Sequence, residues 1–125
     1  MDKLKVLVAE HDTKVLFAFS KVLENEGCVC IQSDNVSKAI KSIVKNQPNA
    51  IFLDVSKPNE DNDKIIKKIA KIKMTMPIII ISSHITDEIN KLAADISALQ
   101  VIEKPLRLES VRHCLDRIKA KLIEK

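Results

Sequence analysis

The sequence predicts an α/β fold, a doubly wound, five-stranded parallel sheet with five helices. Three observations predict it. Five short apolar runs recur along the chain, several of them continuous in Val, Ile and Leu rather than alternating, as in strands covered on both faces. Segments with apolar residues at helical spacing separate those runs. Five βα units in sequence assemble most simply as a parallel sheet with right-handed crossovers.

The first run, Leu4 to Ala9, ends at the stretch Glu10-His11-Asp12. Asp12 or Thr13 can cap a helix patterned on Val15, Phe19, Val22 and Leu23, and Gly27 can close it at a left-handed position. A second strand, Cys28 to Ile31, leads to a helix patterned on Val36, Ala39, Ile40, Ile43 and Val44. The third, Ala50 to Leu53, precedes a helix with Ile65, Ile66, Ile69, Ala70 and Ile72. The fourth, Ile78 to Ile81, precedes one with Ile85, Ile89, Leu92, Ala93 and Ile96. The fifth, Leu99 to Ile102, feeds a longer helix with Leu108, Val111, Leu115, Ile118 and Leu122. Pro48, Pro77 and Pro105 fall at element edges, where a missing N–H does little harm. The single glycine is unusual, because turns normally use more.

A length of 125 residues points to one domain, residues 1–125. A content of 46% hydrophobic and 30% charged residues fits a soluble globular domain. The longest uninterrupted apolar run, Val15 to Phe19, is far too short to cross a bilayer. Met1 leads directly into the first strand without a signal peptide, so a cytoplasmic location and no membrane partner are expected. Cys28, Cys30 and Cys114 are an odd number in such a chain and read as buried, reduced thiols rather than a disulfide framework. Cys28 and Cys30 would share a strand face, but the two further ligands of a metal site are not evident.

The net charge of +4 permits an acidic partner. With no Trp or Tyr and three Phe, there is little material for stacking on bases. Lys64, Lys67, Lys68 and Lys71 read as the solvated face opposite the isoleucines of the third helix, so direct nucleic-acid binding is not expected. Glu60 and Asp63 stand four residues before Lys64 and Lys67, a spacing that suits helix ion pairs.

In an open α/β sheet, ligands bind beyond the carboxyl ends of the strands, where strand order reverses. That rule selects Glu10 and His11 after strand one, Asp54 after strand three, Ser82 and Ser83 after strand four, and Lys104 after strand five. These are parts suited to moving a phosphoryl group. A carboxylate at Asp54 can form an acyl phosphate, an ammonium at Lys104 can balance phosphoryl charge, and the Ser82 hydroxyl can donate to a phosphoryl oxygen. Carboxylates near Asp54 can hold Mg²⁺. No Gly-rich phosphate loop follows strand one, which argues against a nucleotide-binding enzyme.

The stretches "KVLVAEHD", "QPNAIFLDVSKPNED", "PIIIISS" and "VIEKP" occur in that order over nearly the whole chain. Together they resemble the receiver domain of two-component response regulators, the CheY-like group. The resemblance implies strand order 2-1-3-4-5 and a signalling module rather than an enzyme. It implies Asp54 as phosphoacceptor, Ser82 as switch hydroxyl and Lys104 as phosphate-contacting lysine. A cis Lys104–Pro105 bond, an acid at Asp61, a proline at Pro58 and a metal-ligating backbone carbonyl at Ser56 also follow from it. Ser56 and His84 would flank the site entrance. The implied partners are a histidine kinase or phosphotransfer protein, and an effector or output domain docking on the face of helix four, strand five and helix five. A homodimer through that face is a further expectation. Arg107, Glu109, Arg112, Asp116, Arg117 and Lys119 make the surface charged. His113 on the fifth helix reads as a surface residue.

The chain departs from this family at informative places. Receivers typically carry two acids after strand one, whereas this chain carries Glu10 and His11. Imidazole is a poor Mg²⁺ ligand, so weak Mg²⁺ binding by Glu10, His11, Asp54 and the Ser56 carbonyl is expected. His11 can instead serve a softer ion such as Zn²⁺ or Mn²⁺, pair in protonated form with Glu10 and Asp54, or be a plain loop residue. Asp12 is expected to serve as a helix cap. Val101 stands where many members carry a switch aromatic, and Asn62 where a glycine is common. An alternative function is a degenerate pseudo-receiver that binds partners without phosphorylation.

Overall fold

The computed structural model describes residues 3–55, 60–72 and 75–123, the side chains of residues 60 and 61 excepted. Its elements alternate: β1 (Lys5–Ala9), α1 (Thr13–Asn25), β2 (Val29–Ser33), α2 (Val36–Asn46), β3 (Ala50–Asp54), α3 (Glu60–Ile72), β4 (Ile78–Ser82), α4 (Asp87–Asp95), β5 (Gln100–Glu103) and α5 (Leu108–Ile123). The strands form one parallel sheet in the order β2-β1-β3-β4-β5. The expected fold class and strand order are therefore observed. Expectations for Ser56, Pro58 and the Asp61 and Glu60 side chains lie outside the described residues.

Successive strand residues point to opposite faces, and the two faces build two cores. Leu7, Ile51, Leu53, Ile78 and Ile80 pack with Ala39 and Ile43 of α2, Ile66 and Ile69 of α3, and Ile89 and Leu92 of α4. Val6, Val8, Phe52, Ile79 and Ile81 pack with Leu16, Phe19 and Leu23 of α1, and Val111, Leu115 and Ile118 of α5. β3 and β4 are buried along their whole length, which explains why their sequences do not alternate. The Phe19 and Phe52 rings meet edge-on with centroids 5.0 Å apart.

The helical stripes are narrower than their periodicity implied. Val44 of α2, Ile72 of α3, Leu108 and Leu122 of α5, and Ile85 before α4 are exposed. Val44 and Ile72 lie at the margin of their helix's apolar stripe, Leu108 and Leu122 in the end turns of α5, and Ile85 in the loop before α4. In α1 the buried line begins at Leu16, with Val15 half-buried beside it.

Asp12 caps α1, its carboxylate accepting from the Lys14 and Val15 N–H groups. Gly27 closes it at φ +89°, the conformation that favours glycine. Gln47 and Ser97 take left-handed φ values of 48° and 53°, doing at two other turns what glycine commonly does. The Lys104–Pro105 peptide is cis.

Cys28 precedes β2 rather than lying within it and, like Cys114, is buried, whereas Cys30 is half-buried. Burial pushes all three thiols above their ordinary value, Cys114 to about 11. A folded-state thiol harder to ionise than the unfolded one stabilises the fold fully below its unfolded value of 9.0, a contribution lost as pH rises toward 11. Urea melts are expected to show stability declining over that interval, and Cys114 is expected to resist alkylation at pH 8 until the chain unfolds. Stability that stays flat through the interval in wild type and Cys114→Ala alike would contradict this assignment.

Candidate functional site

The register of the sheet assembles the site. Ala9 of β1 faces Leu53 of β3, so the next residues on each, Glu10 and Asp54, emerge side by side at the carboxyl edge. Asp54 faces Ile81 of β4, and Ser82 faces Glu103 of β5, which brings Lys104 to the same edge. β1 and β3 are where the strand order reverses, the place the general rule for α/β sheets selects.

Glu10, Asp54 and Ser82 are buried, while Lys104 is half-buried and His11 exposed. The Lys104 ammonium lies 2.9 Å from Glu10 Oε2 and 3.3 Å from Asp54 Oδ2. His11 Nδ1 lies 2.7 Å from that same Asp54 Oδ2 and 3.4 Å from Glu10 Oε1. The Asp12 N–H donates to Glu10 Oε1 at 3.1 Å. Glu10 thus divides its two oxygens, Oε1 toward the β1–α1 loop and Oε2 toward lysine. Among the described residues, no buried side-chain nitrogen or oxygen lacks a hydrogen-bond partner.

Burial raises the Glu10 carboxyl above its ordinary range, and the neighbouring Asp54 carboxyl adds to this, against the opposing pull of Lys104 and the Asp12 N–H. For Lys104, burial works against the charge, but the contacts with Glu10 and Asp54 outweigh it and hold the ammonium above its ordinary value. Lys104 is therefore a fixed cation at neutral pH.

The Ser82 hydroxyl donates to the His84 carbonyl at 2.8 Å and accepts from the His84 N–H at 3.3 Å. His84 contributes its backbone here, and its side chain is exposed. Val101 is half-buried on β5 against the core of the α2–α4 face. His113 is exposed on α5.

A cavity of about 280 Å³ opens beside Glu10, His11 and Asp54, completed by Asn35, Val36 and Ser37 at the start of α2 and by Asn62 of α3. The α2 contribution was missed in the sequence. Its signal was available, since Asn35 is the helix N-cap directly after β2, at the same carboxyl edge.

A family model for the response regulator receiver domain matches residues 6–116. The chain belongs to that family. This receiver is 32% identical over 91 residues to the probable C4-dicarboxylate response regulator DctR of Bacillus subtilis, covering 73% of this chain and 40% of that protein. It is 21% identical over 113 residues to sporulation initiation phosphotransferase F of Bacillus subtilis, covering 90% and 91% of the two chains. Among solved structures, a CheY-like receiver domain protein from Methanospirillum hungatei superposes with a TM-score of 0.90 at 18% identity, covering 99% of this chain and all of that one. A two-component response regulator from Clostridium difficile gives 0.87 at 24% identity, covering 98% and 100%. The chain spans less than half the length of the first curated relatives it matches.

Receiver domains are signalling modules of two-component systems and bind Mg²⁺ at an acidic pocket. Glu10, His11 and Asp54 stand together in this receiver, each offering a ligand atom within 4.8 Å of the others, and could hold a metal ion. As a donor set they fit Mg²⁺ poorly. Mg²⁺ favours hard oxygens in octahedral array, and a nitrogen stands where a carboxylate is usual. No helix among the described residues is long and apolar enough to cross a membrane.

Proposed function

We propose that residues 1–125 form a single receiver domain that accepts a phosphoryl group on Asp54 from a histidine kinase or phosphotransfer protein. The observation that carries this reading is the Lys104 ammonium 3.3 Å from the Asp54 carboxylate at the strand-order reversal. An Asp54 oxygen attacks phosphorus, an O–P bond forms, and the donor's bond to phosphorus breaks, with the donor leaving group taking up a proton. Lys104 stabilises the charge on the phosphoryl oxygens. Mg²⁺ binds weakly, because His11 replaces an oxygen ligand.

The Ser82 hydroxyl is the switch. Unphosphorylated, it is held by the His84 backbone. A phosphoryl oxygen offers a charge-assisted hydrogen bond worth about 1.5–3 kcal/mol, against about 1 kcal/mol for the neutral contact that it replaces. Turning the hydroxyl toward Asp54 releases the β4–α4 loop and shifts the equilibrium of the α4–β5–α5 face, where an effector, an output domain or a second copy docks. Val101 in place of an aromatic leaves this shift to the loop itself. His84, on the loop after β4, flanks the entrance.

The test is incubation with a small phosphodonor and mass measurement. Wild type is expected to gain one phosphoryl group and Asp54→Asn none. Equal gain in both, or none in either across metal conditions, would overturn the reading and leave a phosphorylation-independent interaction module.

A further inference from the structure

We infer that Glu10, His11 and Asp54 form a site for a divalent first-row transition ion of the Zn²⁺ type, with Mg²⁺ as the poorer occupant. The inference rests on side-chain geometry and does not require Asp54 to be phosphorylated.

His11 Nδ1 faces both carboxylates, at 2.7 Å from Asp54 Oδ2 and 3.4 Å from Glu10 Oε1. Ligand atoms bound tetrahedrally to Zn²⁺ stand about 3.3 Å from one another; the three donors here all lie within 4.8 Å of one another, so a modest adjustment brings them onto one ion. His11 is exposed and its ring can adjust, whereas Glu10 and Asp54 are buried and fixed. The partition of Glu10 matters. Its Oε1 serves the His11 side while Oε2 holds Lys104, so an ion entering beside His11 leaves the Glu10–Lys104 pair intact and competes with Lys104 only for Asp54 Oδ2, 3.3 Å from the ammonium. The adjoining cavity gives room for water or a further ligand in an open coordination position.

Selectivity follows from the donor types. Exchanging a carboxylate for a neutral imidazole lowers the electrostatic attraction for every divalent cation. Zn²⁺, Co²⁺ and Ni²⁺ recover the loss through a strong bond to nitrogen, and Mg²⁺ does not. Lys104 repels all divalent ions alike and leaves the order unchanged. Asp12 does not restore the missing carboxylate, because its side chain is committed to the α1 N-terminus.

The test is titration of the full chain with Zn²⁺, Co²⁺ or Mg²⁺ alone, by calorimetry and, for Co²⁺, by visible absorption. Wild type is expected to bind Zn²⁺ at least tenfold more tightly than Mg²⁺ and to give a Co²⁺ absorption band that Zn²⁺ abolishes. His11→Ala is expected to lose the band and at least tenfold in Zn²⁺ affinity. His11→Asp is expected to lower Zn²⁺ affinity and raise Mg²⁺ affinity. Zn²⁺ binding unchanged in His11→Ala, which would place the ion elsewhere, or Mg²⁺ binding as tight as Zn²⁺ in wild type, would overturn the inference. A thermal melt of each variant establishes that it is folded.

Discussion

Replacing Lys104 by methionine is expected to slow phosphoryl transfer to Asp54 about a hundredfold, the usual loss when one aligned charge stabiliser is removed from a transition state. It is also expected to cost about 3 kcal/mol of stability, because two buried carboxylates lose the cation between them. The stability effect carries a pH signature. Without the ammonium, the Glu10 carboxyl rises further above its ordinary range, and the folded variant holds a proton that the unfolded chain releases. Its deficit is therefore largest at neutral pH and shrinks as pH falls through the carboxylate range. Glu10→Gln is the converse control. The wild-type carboxyl is already raised by burial and by Asp54, so stability falls as pH rises through its range. The glutamine variant is expected to melt higher than wild type at neutral pH and equally at acidic pH. Urea melts at both pH values read all of these effects. A Lys104→Met deficit independent of pH would show that packing, not charge, is what the lysine supplies.

The second large effect lies in the core. Phe52→Ala is expected to cost about 4 kcal/mol, since Phe52 is fully buried and its ring meets Phe19 edge-on. Against a typical stability of about 5–15 kcal/mol, this brings the domain near the limit of folding. Phe52 stands two residues before Asp54 on β3, so the variant also loosens the strand that presents the carboxylate. Val44→Ala, at a 66% exposed position, is expected to change stability by less than about 0.5 kcal/mol. A loss below 1 kcal/mol for Phe52→Ala, or comparable losses for the two variants, would refute the assignment of the core.

The fold was legible because its central strands are buried on both faces and leave uninterrupted Val, Ile and Leu in the sequence. Glu10, Asp54 and Lys104 were legible because the carboxyl edge of such a sheet is a place defined by topology before any side chain is known. What was not legible depends on finer geometry. β2 runs to Ser33, two residues beyond its last strongly apolar residue, and so the part of the cavity formed by Asn35 and Ser37 went unseen. Periodicity assigns a helix its inner side but not the width of sheet that covers it, hence the exposure of Val44 and Ile72, and it does not show that α4 begins only at Asp87, after Ile85. The hold of the His84 backbone on Ser82 depends on the path of a loop. The shortage of glycine did not disturb the turns, because Gln47 and Ser97 accept left-handed backbone.

The cap on α1 constrains how this chain could ever recover a second acid. Deleting His11 would slide Asp12 alongside Glu10 and supply the missing carboxylate, but Thr13 or a later residue would then have to begin the helix. Thr13 is itself an acceptable cap, so the cost is rotational: every residue of α1 turns by about 100°, which carries Leu16, Phe19 and Leu23 off the core. A point substitution at His11 carries no such cost. The two neighbouring residues are thereby decoupled: position 12 is spoken for by the architecture, and position 11 is where ion preference is free to vary.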